Sequence, residues 1–160
     1  EVMETVRTLL VSLQPVMRRV PVVPVLRGPE QLKVRSYPSA LMQVLTNLMM
    51  NSALHAFEGV ETPEISIEVA DEKDVWTLTY RDNGVGVAPD LHQRIFEPFF
   101  TTRRGRGGTG LGLNIVYTLV TQRLGGRLEF WSDSAAGLRF RLDLPWRAPA
   151  TPNTAQEDAT

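Results

Sequence analysis

The sequence predicts an α+β domain: a two-layer α/β sandwich in which a mixed, mostly antiparallel sheet carries three main helices on one face. Three observations predict it. Apolar residues recur at helical spacing in three separate stretches, and alternating apolar patterns come in adjacent pairs that read as hairpins. No run of single strands alternating with helices, as a parallel sheet would need, can be traced. A chain of 160 residues, 42% of them hydrophobic, can bury a core without disulfides or metal. Cysteine is absent, which excludes a disulfide framework, a thiolate metal site and a cysteine nucleophile. A net charge of −1 gives no electrostatic case for nucleic acid or an anionic membrane. No apolar run reaches the roughly 18 residues that a membrane span needs.

Each element follows from local pattern. Val2, Val6, Leu9, Leu10 and Leu13 give an amphipathic helix from residue 2 to about 14, or on to Arg19, with Pro15 near its end. The chain opens at Glu1 inside this helix and reads as a piece of a longer protein. Val20 to Leu26 is β-branched but broken by Pro21 and Pro24, so it predicts an edge strand at best. Leu32 to Arg35 is expected as a short strand. Pro38-Ser39 opens the strongest helix, whose stripe is Leu41, Val44, Leu45, Leu48 and Met49, and which runs to about Phe57. Glu64 to Ala70 and Val75 to Tyr80 alternate about a charged turn and predict a hairpin. Leu91 to Ile95 reads as one helical turn, and Glu97 to Thr109 as a loop long enough to be a flexible lid. Leu111 to Leu124 is a third helix, stopped by Gly125-Gly126, and Arg127 to Trp131 with Leu138 to Leu144 forms a second hairpin. Residues 1–146 are expected as one domain and 147–160, rich in Ala, Pro, Thr and acid, as a disordered tail or linker.

Four motifs carry chemistry. Asn47 and Asn51 stand four residues apart at the margin of the apolar stripe, with His55 one turn on. An Asn offers a neutral oxygen to Mg2+ and an amide to phosphate. Asp82-Asn83-Gly84-Val85-Gly86 follows a strand, so that a carboxylate is set beside glycines that let backbone approach a flat ligand. Phe96-Glu97-Pro98-Phe99-Phe100 places three aromatics beside Thr101, Thr102, Arg103 and Arg104, whose arginines suit phosphate. Gly105-Arg106-Gly107-Gly108-Thr109-Gly110 runs into a helix, where free N–H groups and the dipole attract phosphate. That stretch matches a dinucleotide fingerprint, but no strand leads into Gly105 and no βαβ series exists; a Walker A loop is absent as well.

In this order and spacing the motifs resemble the N, G1, F and G2 boxes of sensor histidine kinases, over roughly residues 1 to 146 and most closely from Ile95 to Gly126. The resemblance implies the Bergerat fold of the catalytic ATP-binding domain, with ATP held between helices and a flexible lid. It implies that Asn51 binds Mg2+ with the phosphates, with Asn47 close by and His55 in reach of phosphate. Asp82 would accept from the adenine amine, with Gly84 and Gly86 beside the base. Thr101, Thr102 and Arg103 belong to the lid's start; Gly108, Thr109, Gly110, Leu111, Gly112 and Leu113 would shape the phosphate and lid region. The implied cofactors are ATP and Mg2+, and the implied reaction is transfer of the γ-phosphoryl group to a histidine. Partners would be the parent's own dimerisation and phosphoacceptor domain, absent here, and a response regulator receiver domain downstream. Isolated, the domain would be a monomer of a homodimeric parent, cytoplasmic, with anchoring of the parent in the inner membrane left open.

Two departures sharpen these expectations. The family usually carries Gly-Thr or Gly-Ser on the last hairpin; here the pair is Gly137-Leu138, so a hydrogen bond toward adenine, worth about 1 kcal/mol, is expected to be missing. Relatives that hydrolyse ATP carry a glutamate one turn before the metal-binding asparagine; here that position is Asn47, which cannot take a proton from water. Neither His55 nor His92, the only histidines, falls in an upstream dimerisation helix, so neither is expected to be the phospho-acceptor. Alternatives are a degenerate module that binds nucleotide and signals by conformation, or an ATP-hydrolysing member of the same fold.

Overall fold

Alternation decides the sheet. Strands β1 (Val25–Arg27), β2 (Ile65–Asp71), β3 (Trp76–Asp82), β4 (Arg127–Asp133) and β5 (Gly137–Leu144) form one sheet in the order β1-β2-β3-β5-β4. The computed structural model describes residues 1–18, 20–101, 109–133 and 136–150. β1 pairs parallel with β2 and every other pairing is antiparallel, as the paired alternating stretches require. Register places Ile67, Tyr80, Phe140 and Phe130 in one row of the inner face, and Val69, Leu78, Leu142 and Leu128 in the next. At the end of the same face the row is Ile65, Asp82, Leu138 and Ser132, where two polar side chains interrupt an apolar pattern. The outer face is polar: Arg141 pairs with Glu72 and Asp143, and Arg139 stacks on Trp131.

Three helices supply the second layer: α1 (Val2–Met17), α2 (Pro38–Asn51) and α3 (Gly112–Thr118). α2 starts at a proline, whose missing N–H is no loss at the first helical position. It buries Leu41, Val44, Leu45, Leu48 and Met49 against Val6 and Leu9 of α1, Val116 of α3 and the inner sheet face. Full burial of each such side chain stabilises the fold by about 1.5–3 kcal/mol. α2 and α3 each continue into a π-helical turn, Ser52–Ala56 and Leu119–Arg123. Such turns insert a residue into the α ladder and re-aim the side chains after it. No helix among the described residues is long and apolar enough to cross a membrane.

The structure corrects some expected elements. The strand expected from Val20 to Leu26 is reduced to Val25–Arg27, an edge strand beyond both prolines. Leu32 to Arg35 is not a strand. Leu32 is buried and accepts from Val2 N–H, and only Arg35 forms a bridge, to Arg147. A 3-10 turn at Pro89–Leu91 begins earlier than the turn expected from Leu91. After Trp146 the chain stays on the body as far as residue 149. Ala148 N–H donates to Arg35 O at 2.8 Å and the Tyr37 hydroxyl donates to Pro149 O at 2.8 Å. Residues 151–160 of the expected tail lie outside the described residues.

Candidate functional site

A cavity of about 500 Å3 opens between α2 with its π turn, the loop after β3, and the start of α3. Nine of the expected site residues line it: Asn47, Asn51, His55, Gly86, Thr101, Thr109, Gly110, Gly112 and Leu113. Asp82, Gly84 and Leu111 are not on its wall. Thr102, Arg103 and Gly108, with Arg104 and Arg106, lie outside the described residues.

Two carboxamides stand on the cavity wall. Asn47 Nδ2 donates to Gln43 O at 2.9 Å, one turn back on α2, which leaves its oxygen to face across the cavity. Opposite is Gly112, the first residue of α3. A Cβ on Gly112 would stand 3.3 Å from Asn47 Oδ1 and 3.5 Å from Asn51 Oδ1. Two neutral oxygens therefore meet the backbone of a helix start, with no carboxylate between them. Among the described residues no group of three or more His, Asp or Glu side chains could hold a metal by itself.

Behind the wall a carboxylate is buried. Asp82 is 3% exposed, yet its register partner Leu138 and the neighbouring Leu48 and Ala56 all line the cavity, so the carboxylate forms the layer just beneath that wall. Burial pushes the Asp82 carboxyl above the usual carboxylate range; donors from the Ser52 hydroxyl and from Gly84 and Leu138 backbone N–H groups oppose that rise. Ser52 Oγ lies 2.5 Å from Asp82 Oδ2 and Gly84 N lies 3.0 Å from Oδ1. Burial also pushes the Tyr80 phenol up, so Tyr80 stays protonated.

Glycines close the loops. A Cβ on Gly84 would fall 2.4 Å from Ala56 Cβ, because the adjoining Val85 N–H donates to Ala56 O at 2.8 Å. At Gly84 the loop must lie flat on the end of the π turn, a close approach of protein to protein. Gly86 has φ +69° and passes beside Ser132, whose Oγ accepts from Val87 N–H at 2.7 Å and donates to Gly137 O at 3.1 Å. Gly110, at φ +71°, lies against Phe99. The aromatic segment is divided: Phe96 packs among Tyr117, Phe130 and Phe140, Phe100 lines the cavity under Arg94, and Phe99 is exposed. Asn114 Nδ2 donates to Phe96 O at 3.1 Å and ties α3 to this segment. His92 Nε2 is bonded to Val87 O at 2.9 Å, away from the two asparagines in the sequence and off the cavity wall.

Sequence reasoning missed Ser52, Tyr80, Ser132 and Asn114. Three of them carried a readable signal. Ser52 continues the apolar stripe after Leu48 and Met49, and Ser132 and Tyr80 occupy inward positions of alternating strands. A hydroxyl at a core-facing position needs a buried partner.

Carboxamides on the cavity wall, a carboxylate buried beneath it and helices over a mixed sheet make a sandwich of the class that the motifs resemble. The chain belongs to the histidine kinase-, DNA gyrase B- and HSP90-like ATPase family, whose model matches residues 36–148. The two-component sensor PprA of Pseudomonas aeruginosa is 39% identical over 125 residues, covering 76% of this chain and 13% of that protein. The sensor histidine kinase ZraS of Salmonella typhimurium is 39% identical over 114 residues, covering 71% of this chain and 23% of that protein. The nucleotide-free catalytic domain of histidine kinase ThkA has the same fold, with a TM-score of 0.77 at 26% identity, covering 90% of this chain and 91% of that one. The fold class and the resemblance to histidine-kinase ATP-binding domains are thus borne out. The chain is a domain of this ATPase family that spans less than a quarter of the length of the two sensor relatives.

Proposed function

We propose that this domain binds Mg·ATP and presents its γ-phosphoryl group for in-line transfer to a histidine nitrogen on a dimerisation and phosphoacceptor domain outside this chain. The observation that carries the reading is the pair Asn47 and Asn51 facing the glycine start of α3 across a cavity that extends to Asp82's end of the sheet. Asn51 Oδ1 would be the protein ligand of a Mg2+ held chiefly by the nucleotide's phosphates. The donor set fits such an ion, which keeps waters and phosphate oxygens, better than an all-protein site. When bound, the ion neutralises charge on the transferring group. His55, Thr101, Thr109 and Gly110 surround the same space and would hold the phosphates, with Leu113 shaping its wall; Thr102, Arg103 and Gly108, outside the described residues, would belong to the lid region, and Asp82 would accept from the adenine amine. Transfer breaks the bond between the γ-phosphorus and the β–γ bridging oxygen and forms a P–N bond. The histidine nitrogen supplies the electron pair, and ADP leaves with the oxygen. Catalysis here is positioning and charge neutralisation.

Asn47, whose amide is committed to Gln43 O, offers no base to water. The site is therefore built to hold ATP, with a neutral histidine nitrogen as the acceptor. The domain extends past residue 146 to residue 149, which still bonds to its body, and the parent is a homodimer that passes the phosphoryl group to a response regulator receiver domain, with this domain on the cytoplasmic side. Phosphate release from ATP tests the reading against hydrolysis. The isolated chain is expected to release none above the buffer rate and to carry no acid-labile label on His55 or His92. Steady release that Asn51→Ala abolishes, or robust label on either histidine, would overturn it.

A further inference from the structure

Three polar side chains are stacked inside an otherwise apolar layer beside the base end of the cavity. Tyr80 is 0% exposed, Ser52 1% and Asp82 3%. Ser52 Oγ lies 2.8 Å from the Tyr80 hydroxyl and 2.5 Å from Asp82 Oδ2, and the Tyr80 hydroxyl lies 3.4 Å from Leu48 O. Counting hydrogens fixes the direction. An ionised carboxylate only accepts, so the single hydrogen of Ser52 goes to Asp82. Ser52 Oγ is then an acceptor toward Tyr80, and the phenol donates to it, the longer contact to Leu48 O being the weaker alternative.

We propose that Ser52 and Tyr80 are positioning residues for base selection: the chain of hydrogen bonds from Tyr80 through Ser52 to Asp82 holds that carboxylate ionised and oriented, and so selects a 6-amino purine over a 6-oxo purine. The inference rests on the reading of Asp82 as the acceptor for the base. An ionised carboxylate can only accept, and it pairs with the amine of adenine; a protonated carboxyl can donate, and it pairs with the carbonyl of hypoxanthine. Ser52 follows Asn51 directly in the chain, so one turn aims a carboxamide at the phosphate end and a hydroxyl at the base end. The groups that face Asp82 are the Tyr80 phenol on its own strand, the Ser52 hydroxyl from the π turn, the Gly84 and Leu138 N–H groups and the Ile65 side of β2. His55 is the titratable group on that turn and lines the cavity. Burial alone would favour the neutral carboxyl, so every donor removed moves Asp82 toward protonation.

The test is calorimetric titration of the chain with ADP and with IDP over a series of pH values, for the wild type, Tyr80→Phe, Ser52→Ala and Asp82→Asn, with thermal melts alongside. Tyr80→Phe is close to isosteric and decides the matter if Ser52→Ala fails to fold. Expected for Ser52→Ala is a loss of about tenfold in ADP affinity, the scale of one hydrogen bond to a charged group. The acid limb of ADP binding moves to higher pH, IDP affinity changes less, and the ADP to IDP ratio narrows; Tyr80→Phe moves all three in the same direction by less. A purely structural role would lower stability without moving the ratio or the acid limb. If both variants keep the wild-type ratio and acid limb while Asp82→Asn loses ADP, the relay is overturned and the base reading stands. If Asp82→Asn binds ADP like the wild type, the base reading falls and the relay with it.

Discussion

Asn47 Oδ1 lies 3.3 Å from the point where a Cβ on Gly112 would stand. That closeness separates binding from stability at one residue. Gly112 opens α3 without a left-handed backbone, so Gly112→Ala suits the helix and is expected to leave stability unchanged or raise it by about 0.5–1 kcal/mol. The same methyl crowds both carboxamide oxygens. Thermal melts and ADP titration on one sample check both halves: melting temperature held or raised, affinity lowered severalfold.

Gly84→Ala has the opposite profile. Its methyl would collide with Ala56 Cβ and Ala56 O, and the latter already accepts from Val85 N–H. Overpacking of this kind costs about 1–3 kcal/mol, and denaturant unfolding of the ligand-free chain should show it as a lower midpoint with unchanged slope.

Leu138 lines the cavity beside Asp82 and has no hydroxyl to offer a base. Leu138→Thr is expected to tighten ADP binding by about 1 kcal/mol, roughly fivefold, on the net worth of one hydrogen bond. Titration with ADP reads it directly; unchanged or weaker binding would show that no acceptor or water stands within reach of that position.

Ligand-free stability should carry the mark of Asp82. Burial raises its carboxyl in the folded chain, whereas the unfolded chain releases the proton at the ordinary, lower pH. Between those two points the folded state binds more protons, so Asp82 costs stability as pH rises through the window, and the cost is absent below it. Melts of wild type and Asp82→Asn across mildly acid to neutral pH check this. The wild type is expected to lose ground relative to the variant as pH rises.

The sandwich was legible because its signals are strictly local. The stripe from Leu41 to Met49 and the alternation through Ile65, Ile67 and Val69 each reproduce in the structure. Elements whose existence depends on distant chain were not. Leu32 to Arg35 has the composition of a strand, but its neighbour is the irregular segment at Trp146 to Ala148, which offers only one bridge. The motif order located both ends of the site, yet the residues beneath it stayed hidden. Asn47, Asn51 and Asp82 stand out as polar types in a recognisable pattern, whereas Ser52 and Tyr80 become informative only when β3 and the π turn meet. Gly84 shows a further limit: a glycine marks a close approach without saying whether ligand or protein makes it.

Asn51 and Asp82 together can be tested in one experiment. The chain is titrated with a non-hydrolysable ATP analogue with and without Mg2+, in the wild type, Asn51→Ala and Asp82→Asn. Expected is binding that Mg2+ strengthens in the wild type, loss of the Mg2+ increment in Asn51→Ala, and a drop of tenfold or more, with or without metal, in Asp82→Asn. Wild-type binding that is indifferent to Mg2+ and to both substitutions would contradict the assignment of this cavity as the Mg·ATP site.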